Sequence, residues 1–188
     1  QVLEFNLLRQ QIEIHPVEAK YRPKELNGTG YIRLKQFSAN AAAEMGAAIQ
    51  KLEAQGVKGY VLDLRSNPGG LLFGGIDIAR MWLDDGKIVS TANRQGVGET
   101  SSANQTAITD KPLVVLVDGG SASASEILSG ALQDNKRAKL VGAKTFGKGL
   151  VQSVRPLVDG AGMAVTVAKY YTPNGKDINH NGIKPDIE

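Results

Sequence analysis

The chain has 188 residues, of which 41% are hydrophobic and 22% charged, with a formal net charge of +3 and no cysteine. That length suits one well-buried core rather than two ordinary domains, and the composition excludes a disordered or fibrous class. The charge is mild and no basic run is interleaved with aromatics, which excludes nucleic acid as a main partner. No apolar run approaches the length of an integral membrane segment, and the missing cysteines leave the redox compartment open.

The first residues, Gln1 to Asn6, lack the basic and apolar regions of a signal peptide, and a start at Gln rather than Met reads as an excised piece. The alternating stretch Gln11-Ile-Glu-Ile14, ending at Pro16, suits an edge strand. After a turn around Asn27-Gly-Thr-Gly30, residues Tyr31 to Phe37 alternate again. Ser38 or Asn40 can then cap a helix with Ala42, Met45, Ile49 and Leu52 at helical spacing, closed by Gly56. Gly59 to Leu64 is a short apolar run of the kind found in a strand covered on both faces. The junction Arg65-Ser-Asn-Pro-Gly-Gly70 leads into a helical pattern of Leu71, Leu72, Ile76, Ile78, Ala79, Met81 and Trp82.

Lys87 to Thr91 reads as a strand, and the polar stretch from Asn93 to Lys111 as a surface loop or twisted hairpin bordering a substrate groove. The apolar run Leu113-Val-Val-Leu-Val117 opens through Asp118-Gly-Gly-Ser-Ala-Ser-Ala-Ser-Glu126 onto a helix reaching about Asp134. Lys139 to Ala143 is another short strand. Val151 to Val154 and Ala161 to Tyr171, separated by Asp159-Gly160, carry a hairpin signal.

Two strand-to-helix junctions carry the chemistry. A small hydroxyl residue at such a turn can be presented at the sheet's edge beside unpaired amides of the following helix, which builds a serine nucleophile and half an oxyanion hole together. The same serines and Glu126 also fit a capping box. The Asn-Pro-Gly-Gly turn fits either a close backbone approach to a ligand or plain turn chemistry. A serine nucleophile needs a base. The two histidines, His15 and His180, sit in no local motif, whereas a lysine can serve if desolvation favours its neutral form. Lys148, between Gly147 and Gly149 and without a neighbouring acid, is the lysine that fits, although a loop lysine between glycines is also the ordinary surface case.

Four stretches in order resemble the carboxy-terminal processing peptidases, or tail-specific proteases: Asp63-Leu-Arg-Ser-Asn-Pro-Gly-Gly70, Ser121-Ala-Ser-Ala-Ser-Glu126, Thr145-Phe-Gly-Lys-Gly-Leu-Val-Gln152 and Lys169-Tyr-Tyr-Thr-Pro-Asn-Gly175. Ser123 and Lys148 stand 25 residues apart, which matches the family's Ser-Lys dyad. The resemblance implies an α/β fold of mixed sheets and helices like the crotonase-like ββα spiral. It implies Ser123 as nucleophile, Lys148 as general base and Gln152 as the group that orients the lysine amine. The oxyanion hole would combine the Ala124 N–H with that of Gly69 or Gly70. It further implies C-terminal tails of proteins as partners, no cofactor, and an exported space such as the periplasm or thylakoid lumen. The family's PDZ module, which captures the substrate carboxylate, has no counterpart in the 188 residues, so they read as a single catalytic core.

Residues Asp177 to Glu188 also satisfy a calcium-loop pattern, but the loop follows a strand-like run and Pro185 interrupts it, so no metal site is expected there. Two functions remain open on the residues: a Ser-Lys endopeptidase, and a non-catalytic scaffold that binds a peptide tail in the same grooves. Acyl-thioester chemistry on a crotonase-like fold has no distinct signal in the sequence.

Overall fold

The computed structural model describes residues 5, 8, 14–21, 27–96 and 98–188. Among the described residues, nine strands and three helices follow one another as β1 (Val17–Tyr21), β2 (Thr29–Leu34), α1 (Ala41–Ala54), β3 (Gly59–Asp63), α2 (Leu72–Arg80), β4 (Lys87–Ala92), β5 (Thr100–Ser102), β6 (Leu113–Val117), α3 (Ala124–Asp134), β7 (Ala138–Gly142), β8 (Leu150–Pro156) and β9 (Gly162–Tyr171). A five-stranded sheet runs β1-β2-β3-β6-β7, and a four-stranded antiparallel sheet runs β5-β4-β9-β8. The expected α/β fold of mixed sheets and helices is the fold observed.

In the first sheet β2, β3, β6 and β7 are parallel, and only the edge strand β1 is antiparallel. One face of each inner strand is fully buried, with Tyr60 and Leu62 of β3 and Val115 and Val117 of β6, whereas Val61, Val114 and Leu116 on the other face are half-buried. α1 buries Ala41, Met45, Ile49 and Leu52, one face at helical spacing, and ends where Gly56 adopts φ +75°. Asn40 occupies the N-cap position of α1, but its side chain donates to Glu44 Oε1 (2.7 Å) instead of capping the backbone. Trp82, just beyond α2, packs edge-on against Tyr60 of β3 with ring centroids 5.1 Å apart. β3 pairs with β6 in the register Asp63↔Leu116, so the loops leaving their carboxyl ends emerge side by side, the usual place for a site in a parallel sheet.

Several expectations shift. The predicted strand at Gln11–Ile14 lies outside the described residues apart from Ile14, and the observed strand starts just after Pro16, whose missing N–H suits a strand's beginning. Leu71, assigned by periodicity to the buried face of α2, is 53% exposed because it is the extended N-cap residue rather than part of the helix. The Asn93–Lys111 stretch does form a hairpin arm, β5 on β4. Its Asn104, Thr106 and Ile108 border an open groove of about 560 Å³ against α1 and α2 that none of the serine-turn residues lines.

Candidate active site

β6 ends at Val117, and α3 starts at Ala124, with Ser123 at the N-cap position in a conformation of φ 57°, ψ −114°. A non-glycine residue holds such a backbone only where its surroundings over-determine it, at a cost on the order of 1–3 kcal/mol. Here the surroundings are the two flanking serines. Ser121 Oγ donates to the Leu64 carbonyl (2.7 Å) and Ser125 Oγ to the Asn67 carbonyl (2.9 Å), both fully buried. The Ser-Ala-Ser-Ala-Ser pattern therefore splits its labour. The outer serines bolt the turn to the neighbouring loop, and Ser123, half-buried, is left at the surface of the junction. Among the described residues the Ala124 N–H, at the first position of α3, has no partner.

The neighbouring loop is the Asn-Pro-Gly-Gly turn. Gly69 has φ +96°, and a Cβ there would lie 2.6 Å from the Ala122 carbonyl oxygen, 2.8 Å from Ser123 Cβ and 3.0 Å from the Ala124 nitrogen. Only glycine lets the two turns approach this closely. The Gly69 N–H donates to Asn67 Oδ1 (2.9 Å), whereas the Gly70 N–H has no partner among the described residues. Asp118 fastens the turns from the other side, accepting at Oδ1 from the Ser66 N–H (2.8 Å) and the Gly120 N–H (2.9 Å). Burial pushes the Asp118 carboxyl up, but these amides and the Ser66 and Ser121 hydroxyls outweigh it and leave the group below the usual carboxylate value. The buried Asp63 is likewise raised by desolvation and brought lower on balance by Arg65 and Tyr31.

A depressed carboxylate contributes stability above its unfolded pKa, about 3.9, and loses it as pH falls through the lower folded value. Thermal unfolding between about pH 5 and pH 2.5 should therefore show stability falling with acid. An Asp118→Asn variant, which no longer titrates there, should fall less steeply; identical slopes would exclude Asp118 from the acid transition.

The lysine loop reaches the same place through Glu126. This residue, the third of α3, is fully buried, and its carboxylate accepts four hydrogen bonds. Oε2 takes the Ser123 N–H (2.9 Å) and the Lys148 N–H (2.8 Å), and Oε1 takes the Thr145 hydroxyl (2.6 Å) and the Gly147 N–H (2.7 Å). A carboxylate at a helix N-terminus is favoured by the free amides and the helix dipole, and here it gathers the serine turn and the lysine loop on one atom. From below, the loop is held by the segment after β9. The His180 N–H donates to the Gly147 carbonyl (2.9 Å), and a Cβ on Gly149 would collide with the Asn179 backbone.

Residues 28–188 match the model of peptidase family S41. The chain belongs to that family. This S41 chain is 62% identical over 186 residues to a carboxyl-terminal-processing protease of Synechocystis sp., covering 97% of the chain and 43% of the relative. It is 47% identical over 194 residues to carboxyl-terminal-processing peptidase 3, chloroplastic, of Arabidopsis thaliana, covering all of the chain and 37% of that relative. The solved structure of a photosystem II D1 C-terminal processing protease superposes with a TM-score of 0.85 at 46% identity, covering 95% of the S41 chain and 49% of the solved one. The chain thus spans less than half the length of these relatives.

Of the residues singled out from sequence, the S41 chain brings Ser123, Ala124 and Gly69 together, sets Gly70 next to them against Phe37, and ties the Lys148 backbone to the serine turn through Glu126. It does not join every side chain. Lys148 is exposed, not packed in an apolar pocket, and no hydrogen bond links its amine to Ser123. Gln152 is exposed on β8 opposite Thr166. His15 bonds Glu44 at the start of α1 (2.9 Å), and His180 meets the lysine loop through its backbone. In the calcium-like loop, the Asp177 carboxylate is engaged by Lys169 Nζ (2.8 Å), and among the described residues no group of three or more acids and histidines could hold a metal. Among the described residues, no helix is long and apolar enough to cross a membrane. Sequence reasoning missed the bridging role of Glu126, whose only local signal is the Ser-x-x-Glu spacing, and missed Asn67 and Asp118 altogether.

Proposed function

We propose that this chain is the catalytic core of a serine endopeptidase that cuts near the C-terminus of protein substrates through an acyl-enzyme, with Ser123 and Lys148 as its dyad. The observation that supports this reading is Glu126 Oε2, which accepts from the backbone amides of both residues and so holds the serine turn and the lysine loop beside one another at a helix N-terminus. The Ser123 hydroxyl attacks the scissile carbonyl, the neutral Lys148 amine takes its proton, and the developing oxyanion accepts from the two partnerless amides of Ala124 and Gly70. Lys148 then protonates the leaving amine, and water releases the acyl group by the reverse sequence. A peptide laid over the junction covers the exposed Lys148 and excludes water from it. Gln152, four residues on, orients that amine once it turns inward. The names of the relatives, a carboxyl-terminal-processing protease and a chloroplastic carboxyl-terminal-processing peptidase, support C-terminal tails as substrates, and an exported space is the setting the family resemblance implies.

The test is to trap the acyl group. Incubation with a slowly deacylating peptide ester should add the mass of its acyl portion to the protein, located on the peptide that contains Ser123. Lys148→Arg should abolish the adduct, because a guanidinium stays protonated and cannot take the serine proton. Tail peptide that binds but is neither cut nor captured would replace this reading with a non-catalytic scaffold.

A further inference from the structure

Asn67 touches both the glycine turn and the serine turn at the candidate oxyanion site. It is fully buried. Oδ1 accepts the Gly69 N–H (2.9 Å), and Nδ2 donates to the Leu34 carbonyl at the end of β2 (2.8 Å). Its main-chain oxygen accepts the Ala122 N–H (3.0 Å) and the Ser125 hydroxyl (2.9 Å), one on each side of Ser123. Asn67 therefore ties β2, the glycine turn and the serine turn together at the point where the reacting carbonyl would sit.

The consequence is chemical as well as mechanical. Two consecutive glycines at φ +96° and +145° have no Cβ to limit their backbone, and each carries an N–H that could rotate toward an anion. We infer that Asn67 is a positioning residue for the oxyanion hole: by accepting the Gly69 N–H it fixes the peptide plane and leaves the Gly70 N–H, with that of Ala124, as the fixed pair of donors. An amide is suited to the task because it supplies one acceptor for Gly69 and one donor for Leu34; an apolar residue of the same size supplies neither. Pre-fixing the donors matters because an oxyanion hole works through groups that need no reorganisation as charge develops.

This inference rests on the acyl-enzyme reading, and the test separates the two. A peptide aldehyde forms a tetrahedral adduct with a nucleophilic serine and places an oxyanion in the hole, whereas the cleaved product peptide makes only ground-state contacts. In the full chain the aldehyde should bind far more tightly than it does to Ser123→Ala; equal affinity there would defeat the serine reading itself. Asn67→Ala should lower kcat about a hundredfold, the effect of losing one oxyanion donor, with KM within about twofold. Aldehyde affinity should fall in step with kcat while product-peptide affinity stays unchanged. Asn67→Asp, which keeps an acceptor for Gly69, should recover kcat to within about tenfold of the parent, and it carries the test alone if the alanine variant does not fold. A loss of kcat with aldehyde affinity unmoved, or one shared equally by the product peptide, would overturn the inference, as would unchanged kinetics in Asn67→Ala.

Discussion

Ser123→Ala is expected to lower cleavage of a tail peptide by about a thousandfold or more while leaving the fold in place, and Lys148→Ala to do the same. The size of the loss follows from what is removed. Without the hydroxyl no acyl-enzyme forms, and without the amine the hydroxyl keeps its proton; what survives is the oxyanion site and whatever binding the groove supplies. The fold should persist because the groups that hold the serine turn are not the serine's own oxygen. Glu126 grips the Ser123 backbone amide, and Ser121 and Ser125 anchor the turn to Leu64 and Asn67. Alanine keeps the Cβ that meets Gly69. Peptide cleavage followed by chromatography, beside thermal unfolding of each variant, checks both halves. A folded Ser123→Ala protein that cuts at the parent rate would remove Ser123 from the mechanism.

Local chemistry made much of this fold legible. The apolar runs at Gly59–Asp63 and Leu113–Val117 are strands with one face buried and the other half-buried, the periodic stretch after Ser123 is a helix ending at Asp134, and the Asp159-Gly160 dipeptide turns a hairpin with both residues at positive φ. Each of these is a property of a few neighbouring residues. What stayed hidden depends on residues far apart in sequence. Asn67 and Ser125 meet across 58 positions, Ser66 and Asp118 across 52, and Lys148 and Glu126 across 22. The misread environment of Lys148 has the same origin. The glycines around it do permit close packing, but what packs there is the backbone of Asn179 to Gly182 against the glycines themselves, and the lysine side chain is left exposed. The capping reading of Glu126 was correct as far as it went, since the carboxylate does take the Ser123 amide; the period of a helix has no information about the loop that arrives from the other side.

That loop makes Glu126 the second residue whose loss should be severe. Glu126→Gln is nearly isosteric, yet its side chain offers one acceptor oxygen and an NH2 group where four donors now converge. With the NH2 group on the Oε2 side the Ser123 and Lys148 amides both face a donor; on the Oε1 side the Gly147 amide does, since the Thr145 hydroxyl can turn to accept, and either way the carboxylate that suits the N-terminus of α3 is gone. Leaving a buried donor unsatisfied costs about 1–3 kcal/mol. With one or two such donors, and about 2–4 °C of melting temperature per kcal/mol in a chain of this size, Tm should fall on the order of 10 °C. The catalytic loss should be larger than that destabilisation explains at a temperature where the variant is still folded. The Ser123 and Lys148 amides share Oε2, so releasing one releases the relative position of both, and a misplacement of about 1 Å between reacting groups is worth about a hundredfold in rate. The expected result is therefore kcat down about a hundredfold in folded Glu126→Gln, with the rate of acyl transfer from a peptide ester to Ser123 lowered by the same factor. A folded variant with a lower Tm but full acylation rate would mean that the serine turn and the lysine loop hold their places independently, and that Glu126 only caps α3.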